Sequence, residues 1–268
     1  MKSLIKMIIW IIAISALVYI LLLGLVYRYQ EKLIFMPDVL PANYTFQFDG
    51  HFKEKFIETP NNTKLNGLLF TTDSPKGVIF FLHGNAGALN SWGFISDIYT
   101  AQKYDIFMLD FRGFGKSGGT ISSEAQFYND AQIAYDSIKK EFGEDKITII
   151  GQSIGTAPAA MLAAKNNPKK LILISPYYSL EDLMYQKYHI IPGFLLKYKF
   201  RTNEFISKVK APIFLIHGAD DKLINSKATV RLKQLCKKDD TMIIIPNIGH
   251  NGINDNNQFQ KEIKEILK

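Results

Sequence analysis

Cysteine is almost absent: Cys236 is the only one in 268 residues. That excludes an intrachain disulfide and a zinc site built on several cysteines. A lone cysteine is usually a small buried hydrophobe. Acidic residues are outnumbered, 25 against 32 Lys plus Arg. The basic residues are scattered, and no basic stripe interleaves with aromatics, so the excess reads as a solvated surface and not as a nucleic-acid site. No internal repeat and no low-complexity linker interrupts the chain.

Charge is missing altogether from Met7 to Tyr27, where Ile, Leu, Val and Ala dominate. A helix of that length crosses a bilayer core of about 30 Å. Lys2 and Lys6 precede the run, Arg28 and Lys32 follow it, and Trp10, Tyr19, Tyr27 and Tyr29 are available for the interfaces. A cleaved signal has a shorter apolar core and an A-x-A-like site; Ala13-Ile14-Ser15 is a poor one, and the apolar run continues past it. Residues 1–28 are therefore expected to be an uncleaved single-pass anchor, 29–50 a juxtamembrane linker and 51–268 one globular domain. A short tail ahead of a large C-terminal domain suggests a signal anchor, with the domain outside the cytoplasm.

Past Pro37 and Pro41 the pattern changes. Phe52–Glu58 and Leu65–Thr71, separated by the turn signal Asn61-Asn62, read as an antiparallel pair. Six short apolar runs follow: Val78–Leu82, Ile106–Leu109, Ile147–Ile150, Leu171–Ile174, Ile213–Ile216 and Met242–Ile245. Strands buried on both faces look like this. Helical patterns intervene at Ser91–Ala101, Ser123–Glu141, Ile154–Lys165, Ser226–Lys237 and Asn257–Leu267. The alternation predicts an α/β domain with a mostly parallel, eight-stranded sheet and helices on both faces. Ligands then bind at the carboxyl ends of the strands.

The loops at those ends carry the chemistry. "GQSIG", Gly151 to Gly155, fits G-x-S-x-G between a strand and an Ala-rich helix, the setting of a nucleophile elbow. Ser153 would stand at the tip, and the backbone N–H of Ile154 would face a developing oxyanion. "HGNAG", His83 to Gly87, lies where this architecture takes its second oxyanion N–H. Asn85 is the candidate donor through its backbone, with Ala86 the alternative. "HGADDKLI" offers Asp220 and Asp221 as the acid, and "NIGHNG" offers His250 beyond the last strand. Of the other histidines, His51 precedes the first strand, His83 and His217 stand before a glycine and would shape a turn, and His189 lies in an insertion. The order Ser, Asp, His is the one expected for this fold.

Together these motifs resemble an α/β-hydrolase, and more closely the membrane-anchored serine hydrolases of the bud-emergence-suppressor type. "HGNAG", "DFRGFGKSGG", "GQSIG", "HGADD" and "GHN" match in order, and "YQEKLIFMP", Tyr29 to Pro37, resembles that family's juxtamembrane segment. Phe111 and Phe114 stand where Tyr is common in the family. The resemblance implies an N-terminal membrane helix and a small hydrolase domain. Its HG-x-x-D pattern selects Asp221 over Asp220.

"DFRGFGKSGG", Asp110 to Gly119, also fits G-x-G-x-x-G and the end of a Walker A loop. A dinucleotide loop, however, follows the first strand, and an acidic residue ends the next one. Here at least three strands precede it, the next strand ends in Gly151, and a Walker A loop would need Gly at position 110. The loop is read as the turn after the fourth strand, with Asp110 and Arg112 as buried structural partners.

Between Ile174 and Ile213 lies a long insertion rich in Tyr, Leu and Phe, expected to form a small cap, about 175–210, over Ser153. An apolar cap beside an anchor favours a lipophilic acyl substrate. The sequence thus predicts a membrane-anchored serine hydrolase acting on carboxylic esters or thioesters and requiring no cofactor or metal. Protein depalmitoylation and amide or peptide hydrolysis are the enzymatic rivals. A catalytically silent binding protein is the rival of another class.

Overall fold

The computed structural model describes residues 2–268. Its centre is an eight-stranded sheet: β1 (Phe52–Glu58), β2 (Lys64–Phe70), β3 (Val78–Leu82), β4 (Asp105–Leu109), β5 (Ile147–Gln152), β6 (Lys170–Ile174), β7 (Ile213–Gly218) and β8 (Thr241–Ile245). The spatial order is β8-β7-β6-β5-β3-β4-β2-β1. β2 is antiparallel to both of its neighbours, and every other pairing is parallel. β3, β4 and β5 are buried along their whole length, as their largely apolar runs require. The edge strand β1 carries Lys53, Glu54 and Lys55, which protect an open edge from pairing with another chain.

Side chains of alternating residues enter two cores. Phe80 and Leu82 pack with Phe107, Tyr135 and Met161 on one face. Ile79 and Phe81 pack with Tyr99, Met108, Phe259 and Ile263 on the other. The first core is covered by helices α2 (Glu124–Phe142) and α3 (Thr156–Lys165), the second by a helical segment 89–100 and by a C-terminal helix, Asn257–Ile266. Ser123 caps α2, its hydroxyl accepting from Gln126 N–H. The expected helix over Ser91–Ala101 is broken into two short pieces by a tight turn, Gly93–Ile95. Gly93 lies so close to the Phe48 ring that a Cβ there would fall 2.2 Å from it.

The N-terminal helix α1 (Lys2–Ile34) is the one helix among the described residues long and apolar enough to cross a membrane. It runs past the expected boundary at 28 and ends at Ile34. The segment beyond is no free linker. Met36–Pro37 pairs in parallel with Ala86–Gly87, and Val39 bridges to Gly115. Met36 N–H donates to Asn85 O (2.8 Å), Leu40 N–H to Gly115 O (2.8 Å), and Gly115 N–H to Asp38 O (2.8 Å). This strap stitches two loops at the carboxyl end of the sheet to the helix. The insertion between β6 and β7 forms two short helices, Leu180–Lys187 and Thr202–Ile206, with a tight turn at Gly193–Leu195 between them.

Candidate active site

Ser153 follows β5 and takes φ +53°, a left-handed conformation that non-glycine residues rarely hold. The flanking glycines explain how. A Cβ on Gly151 would sit 2.4 Å from Gly155 O, and one on Gly155 would sit 2.2 Å from Leu82 O. Only hydrogen at these positions lets β5 turn sharply into α3 beside β3. Such backbone strain costs on the order of 1–3 kcal/mol and persists where surrounding structure imposes it. Thr156 Oγ1 donates to Ser153 O (2.6 Å) and closes the turn.

Three expected residues meet at the strand ends. Ser153 Oγ lies 3.0 Å from His250 Nε2, and His250 Nδ1 lies 2.7 Å from Asp221 Oδ2. With a carboxylate on Nδ1, that nitrogen carries the proton and Nε2 is left to accept from the serine. Asp221 follows β7 and is buried, whereas Asp220 points into solvent. Gly218 makes the approach of His250 possible: a Cβ there would fall 2.4 Å from Ile248 O, in the loop that crosses the end of β7. Asp220 N–H donates to Ile248 O and fixes that crossing (3.0 Å).

Burial alone would raise the Asp221 carboxyl above the ordinary carboxylate range. Hydrogen bonds from His217, His250 and the Ile224 N–H outweigh it and hold the group well below that range. Asp221 Oδ1 accepts from Leu223 and Ile224 N–H at 2.8 Å each. Asp221 is therefore ionised in the folded protein at neutral pH. His217, expected only to shape a turn, instead joins the site. Its Nε2 faces Asp221 Oδ2 (3.1 Å) and Ile224 O (2.8 Å), two acceptors, so it carries a proton; Nδ1 accepts from Thr229 Oγ1 (2.6 Å).

The loop after β3 lies against the elbow. A Cβ on Gly84 would be 3.7 Å from Ser153 Cβ and 3.0 Å from the Trp92 ring. Trp92 Nε1 donates to Ala86 O (2.8 Å), and Asn85 Nδ2 donates to Ile34 O (3.1 Å) at the end of α1. The Asn85 side chain is thus engaged with the end of α1. Ile154 O receives Tyr177 OH (3.2 Å), a contact from the start of the insertion.

The charged side chains of the glycine-rich loop Asp110–Gly119 have partners within the protein. Arg112 forms a bidentate pair with Asp130 (2.7 and 2.8 Å) and donates to Thr63 Oγ1 (2.7 Å). Its partner is therefore Asp130 and not Asp110. Asp110 Oδ1 accepts from Leu89 N–H (3.1 Å) and lies 3.4 Å from His83 Nε2. Burial pushes the Asp110 carboxyl up, and contacts with His83 and Leu89 oppose that only in part. Lys116 reaches Glu54 (2.8 Å) and Tyr44 O (3.1 Å). A groove of about 460 Å³ runs between this loop and the strap, lined by Phe35, Pro37, Val39, Phe114 and Ile121; it touches neither Ser153 nor His250. Among the described residues no cluster of three or more His, Cys, Asp or Glu is arranged to hold a metal ion.

Residues 73–203 match the family described as "Serine aminopeptidase, S33". The alpha/beta hydrolase domain-containing protein 17B of Xenopus laevis is 28% identical over 200 residues, covering 72% of this chain and 67% of that one. The alpha/beta hydrolase domain-containing protein aho-3 of Caenorhabditis elegans is 30% identical over 195 residues, covering 70% of this chain and 57% of that protein. Among solved structures, an esterase of Pyrococcus furiosus superposes with a TM-score of 0.70 at 19% identity, covering 87% of this chain and 96% of that one. A monoacylglycerol lipase of Paleococcus ferrophilus superposes with a TM-score of 0.60 at 19% identity, covering 76% and 98%.

Proposed function

The chain belongs to the α/β-hydrolase superfamily, and on that premise we propose that it is a membrane-anchored serine hydrolase of carboxylic esters or thioesters. The observation that carries this reading is the hydrogen-bonded line from Ser153 through His250 to Asp221 at the tip of a strained elbow. The named esterase and lipase among the structural neighbours are compatible with an ester substrate. Helix α1 serves as the anchor, and the apolar insertion beside it suits a lipophilic acyl group.

Ser153 Oγ attacks the acyl carbonyl while His250 Nε2 takes its proton. The carbonyl oxygen becomes an oxyanion, held by the backbone N–H groups of Asn85 and Ile154. Collapse expels the alcohol or thiol, which leaves with the proton from His250. Water then enters, gives its proton to His250 and attacks the acyl-enzyme; the acid departs and Ser153 Oγ regains the proton. The Asp221 carboxylate orients His250 and stabilises its cation throughout.

Labelling by a fluorophosphonate probe tests the assignment, because only an activated serine reacts. The wild type should label and hydrolyse a short-chain nitrophenyl ester. Ser153→Ala, which removes one oxygen, should do neither while keeping its unfolding midpoint. Retention of most of the turnover in that variant would exclude Ser153 as the nucleophile. A folded wild type that neither labels nor turns over ester would favour the silent binding protein.

A further inference from the structure

The insertion does not stand free above the sheet. Its second half lies along α1. Gln30, the one buried residue of α1, donates through Nε2 to Leu195 O (3.1 Å) and accepts Lys197 N–H at Oε1 (2.8 Å). Glu31 receives Lys197 Nζ (3.1 Å) and Tyr198 OH (3.2 Å). Lys197 Nζ also sits 4.8 Å from the centre of the Tyr27 ring. Farther up the helix, Tyr19 OH donates to Ile190 O.

The exposure of α1 records the same contact independently. Leu23, Val26, Gln30 and Ile34 are less exposed than the α1 residues next to them. Their spacing of three and four residues puts them on one face of a helix. Leu21, Leu22 and Leu25, on the other faces, are open. The insertion therefore follows α1 from Ile34 back to Tyr19.

That position has a consequence for Tyr188–Leu196, "YHIIPGFLL". This stretch contains no Lys, Arg, Asp or Glu. Ile190 is 72% exposed and Phe194 80% exposed, and Tyr185 and Tyr188 are open as well. Tyr19 lies eight residues inside the uncharged run that ends at Tyr27, a depth of about 12 Å at the rise of an α-helix. A segment abreast of Tyr19 shares whatever medium surrounds the helix there.

We infer that the tip of the insertion, Tyr188–Leu196, is a second membrane-inserted element, buried beside α1 in the hydrocarbon of the adjoining leaflet. The inference rests on α1 being the membrane anchor. Irregular backbone in an apolar medium needs partners for its polar groups, and several of those in the tip have them. Tyr19 serves the Ile190 carbonyl and Gln30 serves Leu195 and Lys197. Ile191 N–H donates to Tyr188 O, Leu195 N–H to Pro192 O and Leu196 N–H to Gly193 O, while Pro192 has no N–H to satisfy. This accounts for a tyrosine hydroxyl and a glutamine on the same face of α1. Lys187 at one end of the tip, and Arg28 and Lys32 near the other, are exposed and long enough to extend to lipid headgroups. His189, the one imidazole in the tip, has its ring 5.2 Å from that of Tyr185. The bilayer, not a protein partner, is the occupant because the exposed apolar residues of the tip, Ile190 and Phe194, belong to a segment bonded to α1, whose own apolar side chains are exposed.

Depth-dependent quenching tests this on the full-length protein in phosphatidylcholine vesicles. In a Cys236→Ala background, a fluorophore is attached at Phe194→Cys, at Leu21→Cys on an open face of α1, or at Lys238→Cys far along the chain. Lipids brominated in the middle of the acyl chain should quench Phe194→Cys to within about twofold of Leu21→Cys, and aqueous iodide should quench only Lys238→Cys. Quenching of Leu21→Cys by bromolipid, with Phe194→Cys open to iodide, would overturn the inserted tip and leave the anchor standing. If neither position meets bromolipid, both the anchor and the inserted tip are wrong. No outcome depends on turnover, so the hydrolase reading is tested separately.

Discussion

His217 Nε2 and Asp221 Oδ2 lie 3.1 Å apart with both side chains fully buried, and the same carboxylate oxygen takes His250 Nδ1 at 2.7 Å. One oxygen therefore has two imidazole donors. His217 is not bonded to Ser153; it contacts the proposed acid, which in turn holds the proposed base, and we propose it as a positioning residue. A hydrogen bond to a buried charge is worth about 1.5–3 kcal/mol, so His217→Leu should lower kcat by roughly tenfold to a hundredfold. His217→Gln retains an N–H able to reach Asp221 and should restore most of the loss. Equal losses in the two variants would mean that His217 only fills space.

The neighbouring acids should separate sharply. Asp221→Asn leaves His250 without a charged partner, and such a loss costs about four orders of magnitude in kcat. Asp220 is exposed, and Asp220→Asn should alter stability by no more than about 0.5 kcal/mol and leave turnover near wild type. Similar losses in both variants would overturn the choice of acid.

The depressed Asp221 carboxyl also predicts a pH dependence of stability. A group whose pKa is lower folded than unfolded stabilises the fold fully above its unfolded value of about 3.9. That contribution is lost as pH falls through the folded value. Asp221→Asn cannot titrate. The difference in unfolding free energy between wild type and Asp221→Asn should be constant above about pH 5 and shift against the wild type below about pH 4. Urea unfolding at pH 7, 5 and 3.5 measures it, and a difference flat across that range would contradict the assigned shift.

Much of this arrangement was legible in the sequence because strand ends are written locally. Solid apolar runs gave the strands, and the Ser, Asp and His motifs each follow a strand of the same parallel set. What was not legible depends on partners distant in sequence. His217 looked like a turn residue because nothing near it shows that its ring turns inward toward Asp221. Arg112 could not be assigned to Asp130 from spacing alone. The linker expected over 29–50 turned out to be helix as far as Ile34 and then a strap, because its backbone partners are Asn85, Gly87 and Gly115. Gln30 and Tyr19 read as residues of an anchor, and only the packing of Ile190 and Leu195 against α1 gives them a role.

Gly155 is tested by adding one carbon. A Cβ there would lie 2.2 Å from Leu82 O and 2.7 Å from His83 O, both rigid backbone of β3 and its loop. Overpacking of this kind costs about 1–3 kcal/mol. Gly155→Ala should lower the unfolding free energy in urea by that amount and reduce labelling of Ser153, since the elbow must move to make room. Gly252→Ala is a control for added volume: its Cβ would have nothing within 4 Å, although its φ of +78° makes it mildly strained. If the two variants lose equal stability, the close approach of α3 to β3 is not what requires glycine at 155.

Two deletions separate the proposed anchor from the strap. Removal of residues 1–28 takes away the uncharged run but keeps Gln30, Glu31, Phe35 and the pairing of Met36–Pro37 with Ala86–Gly87. That variant should hydrolyse a soluble ester within about threefold of the full-length protein, since none of the lost residues touches the proposed oxyanion loop. Removal of residues 1–40 also deletes Phe35, buried against Phe114, Phe127, Tyr198 and Phe200. Loss of a buried Phe side chain alone costs about 3–5 kcal/mol. The hydrogen bonds from Met36 to Asn85 and from Leu40 to Gly115 go with it. The longer deletion should therefore unfold at lower urea and lose at least about tenfold in turnover, because the loop that carries Asn85 loses its fixed position. Equal activity in the two deletions would show that the strap only tethers the domain. Loss of soluble-ester activity in the shorter one would mean that α1 above Tyr29, through Tyr19 and Ile190, helps to shape the site itself.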